Sequence, residues 1–174
     1  MPGSPAPDLL VEPLATRHDR TAFASGDESL DRYFRTQAGQ DARRKANGVF
    51  VLTAQAGNAE VLGYYTLCTT AVSSGDVSEP LRRFLPRYPL VSATLFGRLA
   101  VEQRFQGQGL GALLLADGVK RAFASANTVG SSMLVVDALN DTAVAFYLRQ
   151  GFIRLYDSRR LILPMRTIAK LLQW

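Results

Sequence analysis

The chain has 174 residues, 47% of them hydrophobic and 20% charged, the balance of a globular protein long enough to bury its own core. Twenty Lys and Arg against fifteen Asp and Glu give a net charge of +5, beside one His and one Cys. One Cys excludes an internal disulfide, one Cys with one His cannot build a Cys/His zinc site, and a nucleophile triad could only use His18 as its base. No apolar run approaches the ~20 residues of a membrane span. No basic stretch followed by an apolar one opens the chain, so a cytoplasmic protein without a membrane partner is expected. The charge is uneven. Residues 1–80 hold seven basic and ten acidic side chains, and residues 81–174 hold thirteen and five.

Residues 1–8 begin with MPGSPAP and read as an extended lead-in. Leu9–Glu12 has strand character. Ser25 followed by Glu28 has the spacing of a capping box, which predicts one helix from there to about Lys45. Asn47-Gly48 ends it. Val49–Leu52 and Val61–Val72 read as antiparallel strands across a turn at 56–59. Residues 73–90 hold three prolines and break the pattern, with a helical turn at Leu81–Leu85. Thr94–Val101 is the next strand, and a largely apolar, buried helix spans about Leu110–Ala126. Met133–Val136 is a strand and Asp141–Gln150 a short helix closed by Gly151. Phe152–Tyr156 and Arg159–Leu163 read as a terminal strand pair. The order predicts a single α/β domain with a mixed sheet over 9–165, leaving 166–174 as a tail.

The most specific signal lies at Gln106-Gly107-Gln108-Gly109-Leu110-Gly111, between a strand and a helix. Alternate glycines let main chain approach an anion closely. The first amides of the helix lack intrahelical partners, and the helix dipole adds attraction. The turn therefore fits a diphosphate held without any Lys. It lacks the Gly-Lys-Ser/Thr ending of a Walker A loop, and its spacing is not G-x-G-x-x-G.

These residues resemble the Q/R-x-x-G-x-G/A motif of the GCN5-related N-acetyltransferases (GNAT). The likeness extends over about residues 8–165. It implies that residues 106–111 bind the diphosphate of acetyl-coenzyme A. It also implies that Leu99, Ala100 and Val101 form a splayed central strand whose main chain pairs with the pantetheine arm. Asn140, Ala143, Phe146-Tyr147 and Gly151-Phe152 resemble a second segment of that family. There the Asn approaches the cofactor and the Tyr lies near its sulfur, which makes Tyr147 the expected general acid. A phenol of pKa ~10 is a suitable donor to a departing thiolate of pKa ~8.5. The alternative for Tyr147 is a core aromatic.

A general base is harder to find. His18 lies in the polar stretch Arg17–Arg20 and reads as a surface residue. Glu102 follows the cofactor strand and reads either as a base acting through water or as a solvated loop carboxylate. A substrate α-amine, with a pKa of ~7.7–8.0, needs less help than a Lys at ~10.4.

The clusters Arg43-Arg44-Lys45, Arg82-Arg83 with Arg87, and Arg159-Arg160 exceed what one diphosphate requires. The first two are candidate nucleic-acid contacts. Phe23–Phe34, Gly63–Leu67, Leu95–Val101 and Leu161–Pro164 resemble toxin-type GNAT acetyltransferases of type II toxin–antitoxin pairs. That resemblance implies acetylation of the α-amine on aminoacyl-tRNA, a ribbon-helix-helix antitoxin as partner, and a homodimer. An acetyltransferase for a small amine or a protein N-terminus is the alternative. A non-catalytic acyl-coenzyme A-binding module would have no need of Tyr147.

Overall fold

The computed structural model describes residues 8–55 and 57–172. Its strands are β1 (Leu10–Pro13), β2 (Gly48–Thr53), β3 (Gly63–Ser73), β4 (Leu90–Val101), β5 (Met133–Asp137), β6 (Ile153–Arg154) and β7 (Arg160–Pro164). They form one mixed sheet in the order β1-β2-β3-β4-β5-β7-β6. The helices are α1 (Glu28–Thr36), α2 (Ala38–Arg44), α3 (Glu79–Arg82), α4 (Leu110–Ala126), α5 (Asp141–Arg149) and α6 (Met165–Leu171). The expected mixed α/β class is observed. Contacts divide the chain into two compact units, one holding the chain up to Thr66 with Arg98–Leu115, the other Leu67–Gly97 with the chain from Ala116 onward.

In the first unit, Phe23, Phe34 and Tyr64 pack as interlocking rings beside Val49, Val51, Val61 and Ala100. Phe34 stacks on Tyr64 at 4.4 Å, and the Tyr64 hydroxyl donates to the Leu30 carbonyl at 2.7 Å. Burying large rings supplies much of the apolar stabilisation here. The helix expected over 25–45 is two helices, broken at Gln37. Asp27, not Ser25, caps α1 by accepting from the Leu30 amide at 2.9 Å. Ser25 is drawn elsewhere, donating both its amide and its hydroxyl to Asp31. Lys45, in the left-handed region, ends α2 before Asn47-Gly48 is reached.

In the second unit, β4 pairs parallel with β5 over Thr94–Phe96, and β5 pairs antiparallel with β7 over its full length. Met133–Val136 is wholly buried, as expected for an interior strand. Val72, Val91, Ala93, Val135 and Ile162 form a core that also takes Leu85 from the Pro-rich break. Pro80 stands in the first turn of α3, so this helix begins at Glu79, ahead of the expected Leu81. The expected tail contains α6, which follows β7 directly and buries Ile168. Most of the lead-in and Trp174 lie outside the described residues.

Gly63 sets how closely β3 meets the end of β4. A Cβ there would stand 2.9 Å from the Ala100 carbonyl oxygen and 2.7 Å from Leu114 Cδ1. The Leu side chain can rotate, but the main-chain oxygen has less room to move. Gly63→Ala is expected to lower stability by about 1–3 kcal/mol, read as a lower urea midpoint at unchanged slope.

Candidate active site

β4 runs on to Val101, past the last residue registered with β5. A 3-10 turn at Gln103–Phe105 follows, and then the Gly-rich turn into α4. Gly107 and Gly109 have φ of +79° and +82°, where side-chain-bearing residues are strained, and a Cβ on either would point into open space. The first intrahelical bond of α4 runs from the Leu113 amide to the Gly109 carbonyl at 3.1 Å. The amides of Gly109, Leu110, Gly111 and Ala112 precede it, so none has an intrahelical acceptor. Open space, main-chain donors, a helix N-terminus and no carboxylate within 106–111 fit a diphosphate such as that of acetyl-coenzyme A.

The Gln106 side chain works inward. Its amide group donates to the Ser25 carbonyl at 2.7 Å and the Val101 carbonyl at 2.9 Å. The Gln103 amide adds a bond to the Ala24 carbonyl at 2.9 Å. Together they fasten the turn to the end of β4 and to the entrance of α1. Buried Asp31 completes this fastening by holding Ser25, and the sequence reading missed it. Its signal was a lone carboxylate between Leu30 and the aromatic pair Tyr33-Phe34.

In the second unit, Asn140 caps α5, its side-chain oxygen accepting from the Ala143 amide at 2.9 Å. Tyr147 lies two turns on, 7% exposed, with edge contacts to Phe146 and Phe152. Among the described residues nothing hydrogen-bonds its hydroxyl. Burial pushes the phenol well above the usual tyrosine range, so it stays protonated and uncommitted. The same burial fits a core aromatic, but the lack of a partner leaves the hydroxyl free to donate.

The two candidate bases are both occupied. His18 is buried rather than on the surface. Its Nδ1 accepts from the Ala15 amide at 2.9 Å, and Nε2 donates to Glu12 at 2.9 Å. It thus closes the turn after β1. Glu102 is also buried, not solvated. It accepts from the Arg104 amide at 2.7 Å and pairs with the Arg104 guanidinium, which reaches on to Glu60.

Arg43, Arg44 and Lys45 form the exposed last turn and cap of α2 in the first unit. Arg82, Arg83 and Arg87 are exposed in the second. By contrast, Arg159 and Arg160 pair with Asp141 and Asp137. Arg98 lies 3.5 Å above the Tyr33 ring, a cation–π contact that the sequence did not signal.

The acetyltransferase (GNAT) family model matches residues 14–152. The tRNA-acetylating toxin of Mycobacterium tuberculosis (strain ATCC 25618 / H37Rv) is 35% identical over 160 residues, 91% of this chain and 93% of that one. A Tyr-to-Phe mutant of KacT superposes with a TM-score of 0.88 at 31% identity, over 94% of this chain and 98% of that one. AtaT complexed with acetyl-methionyl-tRNAfMet gives 0.87 at 31%, over 95% and 99%. A Tyr-to-Phe mutant of AtaT, bound to the C-terminus of the antitoxin AtaR and acetyl-CoA, gives 0.81 at 30%, over 96% and 99%. The family match takes in the strand that outruns its neighbour, the glycine turn and α5, and the chain belongs to the acetyltransferase (GNAT) family, among its toxin-type members.

Proposed function

We propose that the protein transfers an acetyl group from acetyl-coenzyme A to the α-amine of the amino acid on charged tRNA, blocking translation as the toxin of a toxin–antitoxin pair. The observation that carries the reading is the buried, unpartnered phenol of Tyr147 in a chain that superposes on AtaT over 95% of its length. Acting in the cytoplasm, as a homodimer, and held by a ribbon-helix-helix antitoxin belong to the same reading. Among the described residues no helix is long and apolar enough to cross a membrane.

Acetyl-coenzyme A, when bound, supplies an acyl group already activated as a thioester. The amides at the start of α4 hold its diphosphate, and Leu99–Val101 offer main chain to the pantetheine arm. Asn140 fixes the start of α5 and with it the ring of Tyr147. Tyr147 delivers its hydroxyl proton to the sulfur as the C–S bond breaks and the amide C–N bond forms. The surplus proton of the amine passes to water, and the phenol is reprotonated from solvent. His18 and Glu102 take no part, since both hold structural bonds. An α-amine suits a site without a base, because a useful fraction is neutral near pH 7–8. Arg43, Arg44, Lys45, Arg82, Arg83 and Arg87 contact the RNA phosphates.

Incubation with labelled acetyl-coenzyme A and total charged tRNA tests the reading directly. Label in the aminoacyl fraction is expected. Label only in small amines or protein N-termini would favour the alternative substrate. Tyr147→Phe is expected to lower kcat about 100-fold or more at unchanged fold, read by circular dichroism and single-turnover acetylation. Full toxicity of that variant would refute the assignment of the acid. Activity requires a neutral amine and a protonated phenol. Burial raises the phenol's pKa, so kcat/KM is expected to rise through the amine's pKa and then stay level to about pH 10. A fall between pH 8 and 9.5 would contradict this. The affinity for tRNA is expected to drop steeply as salt rises.

A further inference from the structure

The segment between β3 and β4 carries an arrangement that takes no part in the chemical step. From Arg82 to Leu90 every residue is exposed except Leu85, which anchors the segment in the core of its unit. The Ser74 amide donates to the Pro89 carbonyl at 3.0 Å and holds the far end. Between these fixed points lies an open pocket of about 420 Å³, within the usual range for small-molecule sites. Arg82, Arg87 and Tyr88 line it, with Pro86 and Pro89. Tyr88 is 67% exposed, and no ring packs on it among the described residues.

The charge of this segment, like that of Arg43-Arg44-Lys45, is not neutralised by ion pairs among the described residues. Arg17, Arg32, Arg35, Arg104, Arg121, Arg159 and Arg160 all pair with carboxylates. Among the described residues none lies within ion-pair distance of Arg82, Arg83, Arg87 or Arg166. The acids of this stretch are Asp76 and Glu79, and Asp76 lends its charge to Arg160. Phe84 fixes two of the free guanidiniums, those of Arg83 and Arg166, each 4.8 Å from its ring centre. Arg82 and Arg87, neither in an ion pair, share the lining with an exposed tyrosine and two prolines.

Resting on the reading of charged tRNA as substrate, we propose that this pocket is a stacking site for an unpaired nucleotide of that RNA. The Tyr88 ring takes one base face. Arg82 and Arg87 contact the flanking phosphates, and Arg83 and Arg166 add charge beside them. The charged groups of the lining, Arg82 and Arg87, are both cationic, which favours a polyanion over an uncharged partner. A duplex would offer no free base face. Single-stranded RNA supplies a base face for the Tyr88 ring and negative charge for the arginines.

Binding of uncharged tRNA, followed by anisotropy, tests this independently of acetyl transfer. Tyr88→Ala is expected to weaken binding about tenfold, and Tyr88→Phe to restore it, because the ring stacks without the hydroxyl. Arg87→Ala is expected to reduce the slope of log affinity against log salt by about one. Tyr88→Trp adds a reporter to a chain with a single tryptophan, and its emission is expected to be quenched by a single-stranded RNA oligonucleotide more than by a duplex of equal length. Tyr88→Ala is also expected to raise KM for charged tRNA with kcat nearly unchanged. If the wild type acetylates charged tRNA and Tyr88→Ala matches it in affinity and KM, the stacking site is refuted while the substrate reading stands. A variant impaired only in binding an antitoxin segment would likewise refute it, in favour of a protein partner. If the wild type does not acetylate charged tRNA, the substrate reading falls, and this inference falls with it.

Discussion

The close approach at Gly63 is the constraint on which the first unit is built. With no side chain there, main chain of β3 comes against the Ala100 carbonyl, and Leu114 of α4 packs into the same space. That contact fixes the end of β4 and the second turn of α4 at once. Only the few residues between them are left to shape, and they are the Gly-rich turn. Gln106 then ties this turn to two carbonyls, and Ser25 with Asp31 anchors the far side of the tie. A phosphate site of bare amides must be rigid to be useful, because each donor contributes only when already aimed. The rigidity here comes from packing and a side-chain amide, while the chemistry is left to the main chain.

Much of this was legible in the residues. The Gly-rich turn announces itself because its conformation demands glycine, and α4 appears with the predicted bounds. Strand β5 was legible because an interior strand is simply apolar. The break at Gln37 was not. The apolar residues keep helical spacing across it, and periodicity does not register one residue leaving the helical region. The choice of Asp27 over Ser25 as cap was hidden for a similar reason. Both are good caps, and the deciding factor is Asp31, a partner six residues away. Burial of His18 and Glu102 was hidden because polar residues read as exposed unless their partners are seen. The partners are Glu12, an alanine amide and Arg104, and no local pattern marks them.

The roles of Tyr147 and Asn140 stand differently. Their spacing was plain, but spacing does not tell a catalytic tyrosine from a packed one. The structure adds what the residues lack, a buried ring whose hydroxyl no neighbour among the described residues claims. The arginines teach the same lesson in reverse. In the sequence, Arg159-Arg160 and Arg82-Arg83 look alike, yet one pair is tied to aspartates and the other makes no ion pair among the described residues. Counting charge could not separate them.

A diphosphate held by main-chain amides, as proposed for residues 106–111, would have a consequence for control. No single side chain carries the affinity, so no simple modification of one, by phosphorylation or acetylation, would switch the site off. The turn also presents no reactive group for the cell to titrate. Silencing such an enzyme calls for a bulky object laid across its entrance, or for keeping the acceptor away. On the proposed reading, control would be a matter of access to the site rather than of side-chain chemistry.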